Sequence, residues 1–171
     1  APGKRNAQDT KVTDALIKYY RDHVAGNDVT KHQQWIIQRY QDMAIELELK
    51  PNILERISKS IQKLASLPIE NNKFLYDTFL AAGENNNAKL IAAYFSQNGI
   101  NARYVHPREA GLIVSSEPGN ARLLPSSYDK IEELNEADEV LIIPGFFGVT
   151  KNDQICTFSR LILLAPLLLQ V

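Results

Sequence analysis

The sequence contains a single cysteine, Cys156, among its 171 residues. One cysteine excludes an internal disulfide and fits a reducing compartment, so we expect a cytoplasmic protein. The three histidines, His23, His32 and His106, have no cysteine or carboxylate partners at the spacing of metal ligands. The sequence therefore predicts no metal site, and each histidine is interpreted as a surface or helix-flank residue.

Strong charge and long apolar segments are also missing. The net charge is −1, and no run of lysine and arginine is long enough to follow a phosphate backbone. The N-terminus is polar and has no apolar signal region. Residues 161–171 form an apolar run that is shorter than the roughly 20 residues needed to span a bilayer. We therefore expect neither nucleic acid nor a membrane as a partner.

Hydrophobic periodicity predicts helices throughout the first half of the chain. A glycine or proline follows most of the apolar stripes, which gives each predicted helix an end. The first predicted helix is capped by Thr13 or Asp14, and the second is capped by Thr30. The third opens at Pro51, and the fourth covers about 70–81. The fifth carries Leu90 and Phe95 and stops at Asn98-Gly99.

The second half changes to short β-prone runs at residues 102–105, 112–115, 140–143 and 155–158. Residues 128–135 between them are typical of a short helix. Strands that alternate with helices indicate a layered α/β protein. The predicted fold class is thus a three-layer α/β fold with a helix-rich N-terminal half.

Generic catalytic motifs are missing, including the phosphate-binding loop, the dinucleotide fingerprint and the nucleophile elbow. One feature with chemical potential is Gly83-Glu84, which separates two apolar helical stripes. At a helix start, this pair would leave backbone N–H groups and a carboxylate facing one space, where the carboxylate could bind a substrate ammonium. The alternative is a helix-initiating glutamate favoured by the macrodipole.

A second feature is the segment 142–148, in which a buried strand runs into a turn that contains Gly145 and Gly148. Ligands of α/β sheets bind beyond the carboxyl ends of strands, and glycine lets the backbone approach a phosphate or carboxylate. An ordinary turn into a hairpin explains the segment equally well.

A third feature is Thr157-Phe158-Ser159-Arg160, a short strand that ends in a hydroxyl and a guanidinium. Arginine is suited to bidentate binding of a carboxylate or phosphate. The alternative is a solvated arginine at the end of a strand.

The three features occur together and in order, and this combination resembles the aspartate kinase catalytic domain of the amino acid kinase family over residues 1–160. The matching motifs are specific because they are well separated. They are Val12-Thr13-Asp14-Ala15-Leu16 at a helix start, Phe79-Leu80-Ala81-Ala82-Gly83-Glu84, Gly145-Phe146-Phe147-Gly148, and Thr157-Phe158-Ser159-Arg160.

The resemblance implies a transferase in which ATP, with Mg²⁺, phosphorylates the side-chain carboxylate of L-aspartate to give 4-phospho-L-aspartate, the first step of lysine, threonine and methionine biosynthesis. It implies that Thr13 and Glu84 contact the aspartate, with Glu84 holding its ammonium. Arg160 would be the catalytic residue and would pair with a substrate carboxylate, while Gly145 and Phe146 line the site. The resemblance also implies that the parent enzyme is a homo-oligomer.

The sequence departs from the family pattern on the ATP side. The family's Lys-Phe-Gly-Gly strand, its Gly-Gly-Ser-Asp continuation after the arginine, its nucleotide loop and its ACT domains do not occur in these 171 residues. No residue is assigned to ATP. We therefore expect residues 1–160 to be a partial catalytic domain, incomplete at both ends and inactive by itself.

The apolar run 161–171 has an explanation in the reading frame. A family-like continuation, Ser-Asp-Ile-Thr-Gly-Ser-Ile-Ile-Ala-Ala-Gly-Val, yields this run when one nucleotide is dropped from a suitable coding sequence. We hypothesise that the run is a frameshifted read. The alternative is a genuine apolar helix or strand that packs in the core.

Two other functions compete with aspartate kinase. Another member of the amino acid kinase family could act on a different carboxylate or on a carbamate, although Thr13, Glu84 and Arg160 suit an α-amino dicarboxylate. A non-catalytic α/β module that binds a partner chain through an exposed apolar edge is the second alternative.

Overall fold

A computed structural model describes residues 1–159 of the chain. Helices occupy its first half, and short strands with one helix occupy its second half, which confirms the predicted α/β class with a helix-rich N-terminal half. The apolar run 161–171 lies outside the described residues. The elements are α1 (Val12–Val24), α2 (Thr30–Glu46), α3 (Pro51–Lys63), α4 (Leu75–Gln97), β1 (Ala102–Tyr104), α5 (Ser126–Glu133), β2 (Val140–Ile142), β3 (Phe147–Val149) and β4 (Ile155–Thr157).

The starts of the first helices differ from the prediction in their caps. Helix α1 begins at Val12, before the predicted caps Thr13 and Asp14, and α2 has Thr30 as its first residue. The side chain that binds the start of α2 is Asp28, whose Oδ1 accepts the Thr30 N–H at 3.0 Å. Helix α3 opens at Pro51 as predicted, because a proline at the first position removes no helical hydrogen bond.

Helix α4 is continuous over 23 residues, so the prediction that Gly83-Glu84 interrupts two helices is wrong. Glycine in a helix costs about 1 kcal/mol relative to alanine, and here packing overrides that cost. A Cβ atom at Gly83 would lie 2.8 Å from Ala1 Cβ and 3.0 Å from Leu16 Cδ1. The glycine therefore serves the close approach of α1 to α4 and does not end a helix.

The main hydrophobic core lies between the four long helices. Helix α1 packs against α2 and α4, and α3 packs against the same two helices. Two aromatic rings meet edge to face at its centre, with Tyr19 and Phe79 separated by 4.9 Å between centroids. Within residues 1–159, no helix is both long and apolar enough to cross a membrane. The fully buried members of the core include Val12, Leu16, Tyr19, Ile36, Tyr40, Ile57, Ile61, Phe79 and Leu90.

The described strands form two small sheets. Strands β1 and β2 are parallel, with Ala102 opposite Val140, and they match two of the predicted runs. Strands β3 and β4 are antiparallel, with Phe147 opposite Thr157. Strand β4 was predicted, whereas β3 falls in the segment that the sequence presented as a turn. The predicted helix at 128–135 is confirmed as α5, followed by a 3₁₀ turn at Leu134–Glu136.

The predicted strand at 112–115 is present only as isolated bridges. The segment has a different partner at nearly every residue: the Val114 N–H donates to Val149 O at 2.9 Å, and the Ser115 N–H donates to Arg122 O at 2.9 Å. The Ile113 N–H donates to the Ser127 hydroxyl at 3.0 Å and therefore makes no hydrogen bond to a neighbouring strand. Such divided pairing satisfies the backbone without forming a regular strand.

A buried arginine holds the N-terminal loop onto α2. The Arg39 side chain is only 4% exposed, its Nη1 lies 2.8 Å from Asp9 Oδ2, and its Nη2 donates to Gly3 O at 2.6 Å. The Asp9 carboxylate also accepts the N–H groups of Arg5 at 2.7 Å and Thr10 at 2.9 Å. The pKa of Asp9 is lowered from 3.8 to about 2. The largest cause is the hydrogen bond from the Arg5 N–H, and Arg39 and the Thr10 N–H add to it.

We predict that Asp9→Asn destabilises the protein at neutral pH. The folded pKa is depressed, so the carboxylate contributes stability above about pH 4, and this contribution is lost as the pH falls toward about 2. The variant should therefore have a lower thermal midpoint at pH 7, and its difference from the wild type should shrink between pH 4 and pH 2. Thermal unfolding followed by circular dichroism across this range measures the effect.

Asp138→Asn is the matched control, because Asp138 is exposed and its side chain makes no hydrogen bond or ion pair within residues 1–159. An Asp9→Asn difference that is independent of pH would contradict the role given to the charge.

We also predict that Gly148→Ala destabilises the protein by about 1–3 kcal/mol, as overpacked sites do. A Cβ atom at Gly148 would lie 2.5 Å from Val114 Cγ1 and 2.6 Å from Leu112 O. Gly145→Ala is the control, since a Cβ atom there meets nothing within 4 Å, and it should change the free energy of unfolding by less than about 1 kcal/mol. Urea unfolding compares the two variants, and equal stabilities would refute the packing argument.

Candidate functional site

A cavity of about 360 Å³ lies where α1, α4 and the end of β4 meet. Three residues that the sequence singled out, Thr13, Glu84 and Phe146, contribute to its wall. They come from positions far apart in the chain, so the fold alone brings them together. The other lining residues are Ala1, Ile17, Tyr76, Asp77, Leu80, Gly119, Thr157 and Phe158.

Glu84 presents a carboxylate to this cavity from the middle of α4. Its side chain is 34% exposed and forms an ion pair with the ammonium group of Ala1. The carbonyl of the preceding residue, Gly83, accepts a hydrogen bond from the Tyr40 hydroxyl at 2.7 Å. Burial, and then the nearby Glu84 carboxylate, raises the pKa of Tyr40 above its ordinary value. Glu84 is therefore held on a helix that is itself tied to α2.

The position of Glu84 corrects part of the sequence interpretation. Gly83 and Glu84 were placed at a helix start, where their N–H groups would be available to a ligand. In the continuous helix α4 the backbone follows the helical pattern through both residues, so only the Glu84 side chain is available for binding.

Thr13 lies in the first turn of α1, next to the contact between α1 and α4. Its neighbour Val12 is fully buried, and the Val12 N–H donates to Pro2 O at 3.2 Å. Val12 packs toward Gly83, since its Cγ1 would be 3.5 Å from a Cβ atom there. Thr13 is half-buried and lines the same cavity as Glu84.

Phe146 is held in an unusual backbone conformation. Its φ is +75°, in the left-handed region that a bulky residue adopts only under constraint. The Phe158 N–H donates to Phe146 O at 2.9 Å and helps to hold this geometry. Such conformations cluster at functional sites because the surrounding structure must maintain them. The adjacent Gly145 does not line the cavity, so the structure brings only Phe146 of this predicted pair to the site.

Asp77 was missed by the sequence interpretation. It lies in the first turn of α4 and is 1% exposed. Its Oδ2 accepts the N–H groups of Gly119 at 2.9 Å and Thr157 at 2.7 Å. Burial, and then the Asp77 carboxylate, raises the pKa of the neighbouring Cys156 thiol to about 11. The seven-residue spacing from Glu84 was the available signal, because two helical turns place both carboxylates on one face.

The predicted arginine and the implied Mg²⁺ are not located among the described residues. Arg160, the predicted catalytic and carboxylate-binding residue, lies outside the described residues. Within residues 1–159, no group of three or more histidine, cysteine, aspartate or glutamate side chains could hold a metal ion. We therefore assign no described residue to Mg²⁺.

A second cavity, of about 750 Å³, lies between the loop before α4 and the turn that joins β3 to β4. It contains none of the residues that the sequence singled out. Its lysine, Lys73, donates to Ser116 O at 3.0 Å. The smaller cavity, which Thr13, Glu84 and Phe146 line together, is therefore the candidate functional site.

Comparisons with a family model and with curated proteins agree on one family. A family model described as "Amino acid kinase family" matches residues 8–163. Aspartokinase 3 of Bacillus subtilis (strain 168) is 44% identical over 160 residues, which is 94% of this chain and 35% of the relative. An aspartokinase of Geobacillus stearothermophilus is 27% identical over 72% of this chain and 32% of its own length. The chain thus spans about a third of the length of these curated relatives.

Solved structures share the fold. The aspartate kinase of Clostridium acetobutylicum superposes with a TM-score of 0.70 at 28% identity, covering 94% of this chain and 34% of that one. Aspartokinase III of E. coli, solved with lysine and aspartate, superposes with a TM-score of 0.56 at 17% identity over 89% of this chain and 36% of that one. The second match supports the fold alone. The family model matches most of the length of this chain, which therefore belongs to the amino acid kinase family.

Proposed function

We propose that this chain forms the L-aspartate-binding part of an aspartate kinase, which transfers the γ-phosphoryl group of ATP to the side-chain carboxylate of L-aspartate. The observation that carries the proposal is the convergence of Thr13, Glu84 and Phe146 on one cavity. The names of the sequence relatives and of the structural neighbour at 28% identity support the same reaction.

Glu84 is the proposed partner of the substrate ammonium. Its carboxylate belongs to the cavity wall and its side chain is 34% exposed, so a cation in the cavity can reach it. Thr13 can donate its hydroxyl proton to a substrate carboxylate, and Phe146 forms an apolar wall.

The charge of the cavity gives each end of the substrate a different partner. The carboxylate of Glu84 makes one wall acidic, so this wall favours an ammonium and disfavours a carboxylate. We propose that Arg160, outside the described residues, supplies the positive charge for a substrate carboxylate. A ligand with one ammonium and two carboxylates matches this arrangement.

The proposed reaction needs no general base from this chain. The substrate carboxylate is ionised at neutral pH, so one of its oxygens can attack the γ-phosphorus directly. A bond forms between this oxygen and phosphorus, the bond to the bridging oxygen of ADP breaks, and no proton must move. ATP is the proposed phosphoryl donor, and Mg²⁺ would neutralise its phosphates. The described residues would contribute binding and orientation of the acceptor.

Other members of the family remain a competing function for the same cavity. A different carboxylate or a carbamate would need neither the ammonium partner Glu84 nor the distance that L-aspartate sets between its ammonium and its reacting carboxylate. The binding of L-aspartate compared with that of succinate therefore distinguishes the two functions.

We predict that Glu84→Gln weakens L-aspartate binding by about 10–100-fold, because a hydrogen bond to a charged group contributes about 1.5–3 kcal/mol. Isothermal titration of the 171-residue chain with L-aspartate measures this. The chain is acetylated at its N-terminus, because the Ala1 ammonium otherwise occupies Glu84. Glu46→Gln, an exposed change at the end of α2, is the matched control and should bind like the wild type.

Succinate provides the matched ligand, since it has both carboxylates of L-aspartate and lacks the ammonium. Its binding should not weaken in Glu84→Gln, because the variant removes a negative charge from the cavity wall. If the acetylated wild type shows no L-aspartate binding, or if L-aspartate and succinate lose affinity equally in the variant, the proposed role of Glu84 is wrong.

We further predict that Phe146→Asn leaves the fold nearly unchanged and weakens L-aspartate binding about fivefold to tenfold. Asparagine tolerates the left-handed conformation, and relief of about 1–2 kcal/mol of backbone strain should offset the lost burial of a side chain that is already 39% exposed. Urea unfolding and isothermal titration measure the two effects. If the variant binds L-aspartate as tightly as the wild type, Phe146 does not contribute to binding at this site.

A further inference from the structure

Asp77 is a buried carboxylate that makes none of the proposed contacts with L-aspartate. It is 1% exposed, and among the ion pairs of residues 1–159 none includes it. Burying an ionised group without a cation is unfavourable unless hydrogen bonds compensate for the lost hydration. The compensation here comes from backbone N–H groups, which indicates that the carboxylate organises the backbone around it.

The two N–H groups that Asp77 accepts belong to separate segments. Gly119 lies in the turn before Ala121, and Thr157 is the last residue of β4. These segments are also joined directly, since the Ala121 N–H donates to Thr157 O at 3.0 Å. One carboxylate oxygen therefore fixes the end of β4 and the 119–121 turn onto the first turn of α4.

The end of β4 connects Asp77 to Phe146. Successive N–H groups of an extended strand point in opposite directions. The Thr157 N–H points to Asp77 at 2.7 Å, whereas the Phe158 N–H points to Phe146 O at 2.9 Å. Residues 157 and 158 are thus held between α4 on one side and the strained Phe146 on the other.

The same helix carries Glu84. Asp77 and Glu84 are seven residues apart on one face of α4, which corresponds to about 10.5 Å along the helix axis. Because α4 is rigid, anchoring β4 at Asp77 sets the position of Phe146 relative to Glu84 across the cavity.

We propose that Asp77 is a positioning residue, which holds the Phe146 wall of the cavity in register with Glu84 by accepting the Gly119 and Thr157 N–H groups. Its importance for L-aspartate rests on the proposed function of that cavity. The positioning itself is a property of the chain without ligand, so the two can be tested separately.

The first experiment measures amide hydrogen exchange by NMR on the ligand-free chain. In Asp77→Ala, exchange at Gly119, Thr157 and Phe158 should rise by at least about tenfold beyond the change in Ile57→Val. Ile57→Val is the stability control, because Ile57 is buried in the helical core and lines neither cavity. In Asp77→Asn the rise should stay below about tenfold, since the amide oxygen can accept the same two N–H groups.

The Phe158 amide decides the positioning claim, because its bond to Phe146 is not made by Asp77. Unchanged protection at Phe158 in Asp77→Ala overturns the proposal, as does a loss of protection in Asp77→Asn as large as that in Asp77→Ala. If Asp77→Ala does not fold, Asp77→Ser takes its place, because its shorter side chain should not reach both N–H groups and the same outcomes apply.

The second experiment titrates the acetylated variants with L-aspartate. We expect a loss of at least about tenfold in affinity for Asp77→Ala, and a loss of less than about threefold for Asp77→Asn. Wild-type affinity in Asp77→Ala overturns the proposal and leaves the proposed function intact. If the wild type itself does not bind L-aspartate, the proposed function fails, and the exchange at Phe158 still decides whether Asp77 positions Phe146.

Discussion

The close approach of α1 to α4 at Gly83 is the contact on which the rest of the structure depends. No Cβ atom fits at this position, because Ala1 and Leu16 occupy the space. The approach buries Val12 and Leu16 completely and places Thr13 beside the face of α4 that carries Glu84. The glycine of this motif thus contributes to the site through helix packing, and the glutamate contributes through its charge.

Helix α4 joins the two halves of the structure, and its opposite faces have different tasks. One face carries Leu75, Phe79 and Leu90 into the helical core. The other carries Asp77 and Glu84 toward β4 and the cavity. A continuous helix keeps these two faces in fixed relation over 23 residues. The position of the acidic wall is therefore determined by the packing of the helical half.

The second half of the described chain depends on hydrogen bonds more than on long strands. Its strands have three residues each, and its smaller cores include Val114, Ala121 and Phe158. Side chains complete the backbone pairing at several points, as Ser127 does for Ile113 and Asp77 does for Thr157. Strands this short contribute little stability by themselves, so these side-chain acceptors define where the loops around the cavity lie.

The sequence by itself determined the helical first half, because apolar residues at helical spacing and the Pro51 start are local signals. It also indicated β1, β2, β4 and α5, and the motifs that carry Thr13, Glu84 and Phe146. Whether α4 ends at Gly83 was decided only by the tertiary structure, because contact with α1 outweighs the low helix propensity of glycine. Strand β3 and the left-handed Phe146 likewise depend on pairing with β4. The burial of Asp77 and Arg39 depends on partners 30 to 80 residues away in the chain, and no local pattern encodes contacts at that distance.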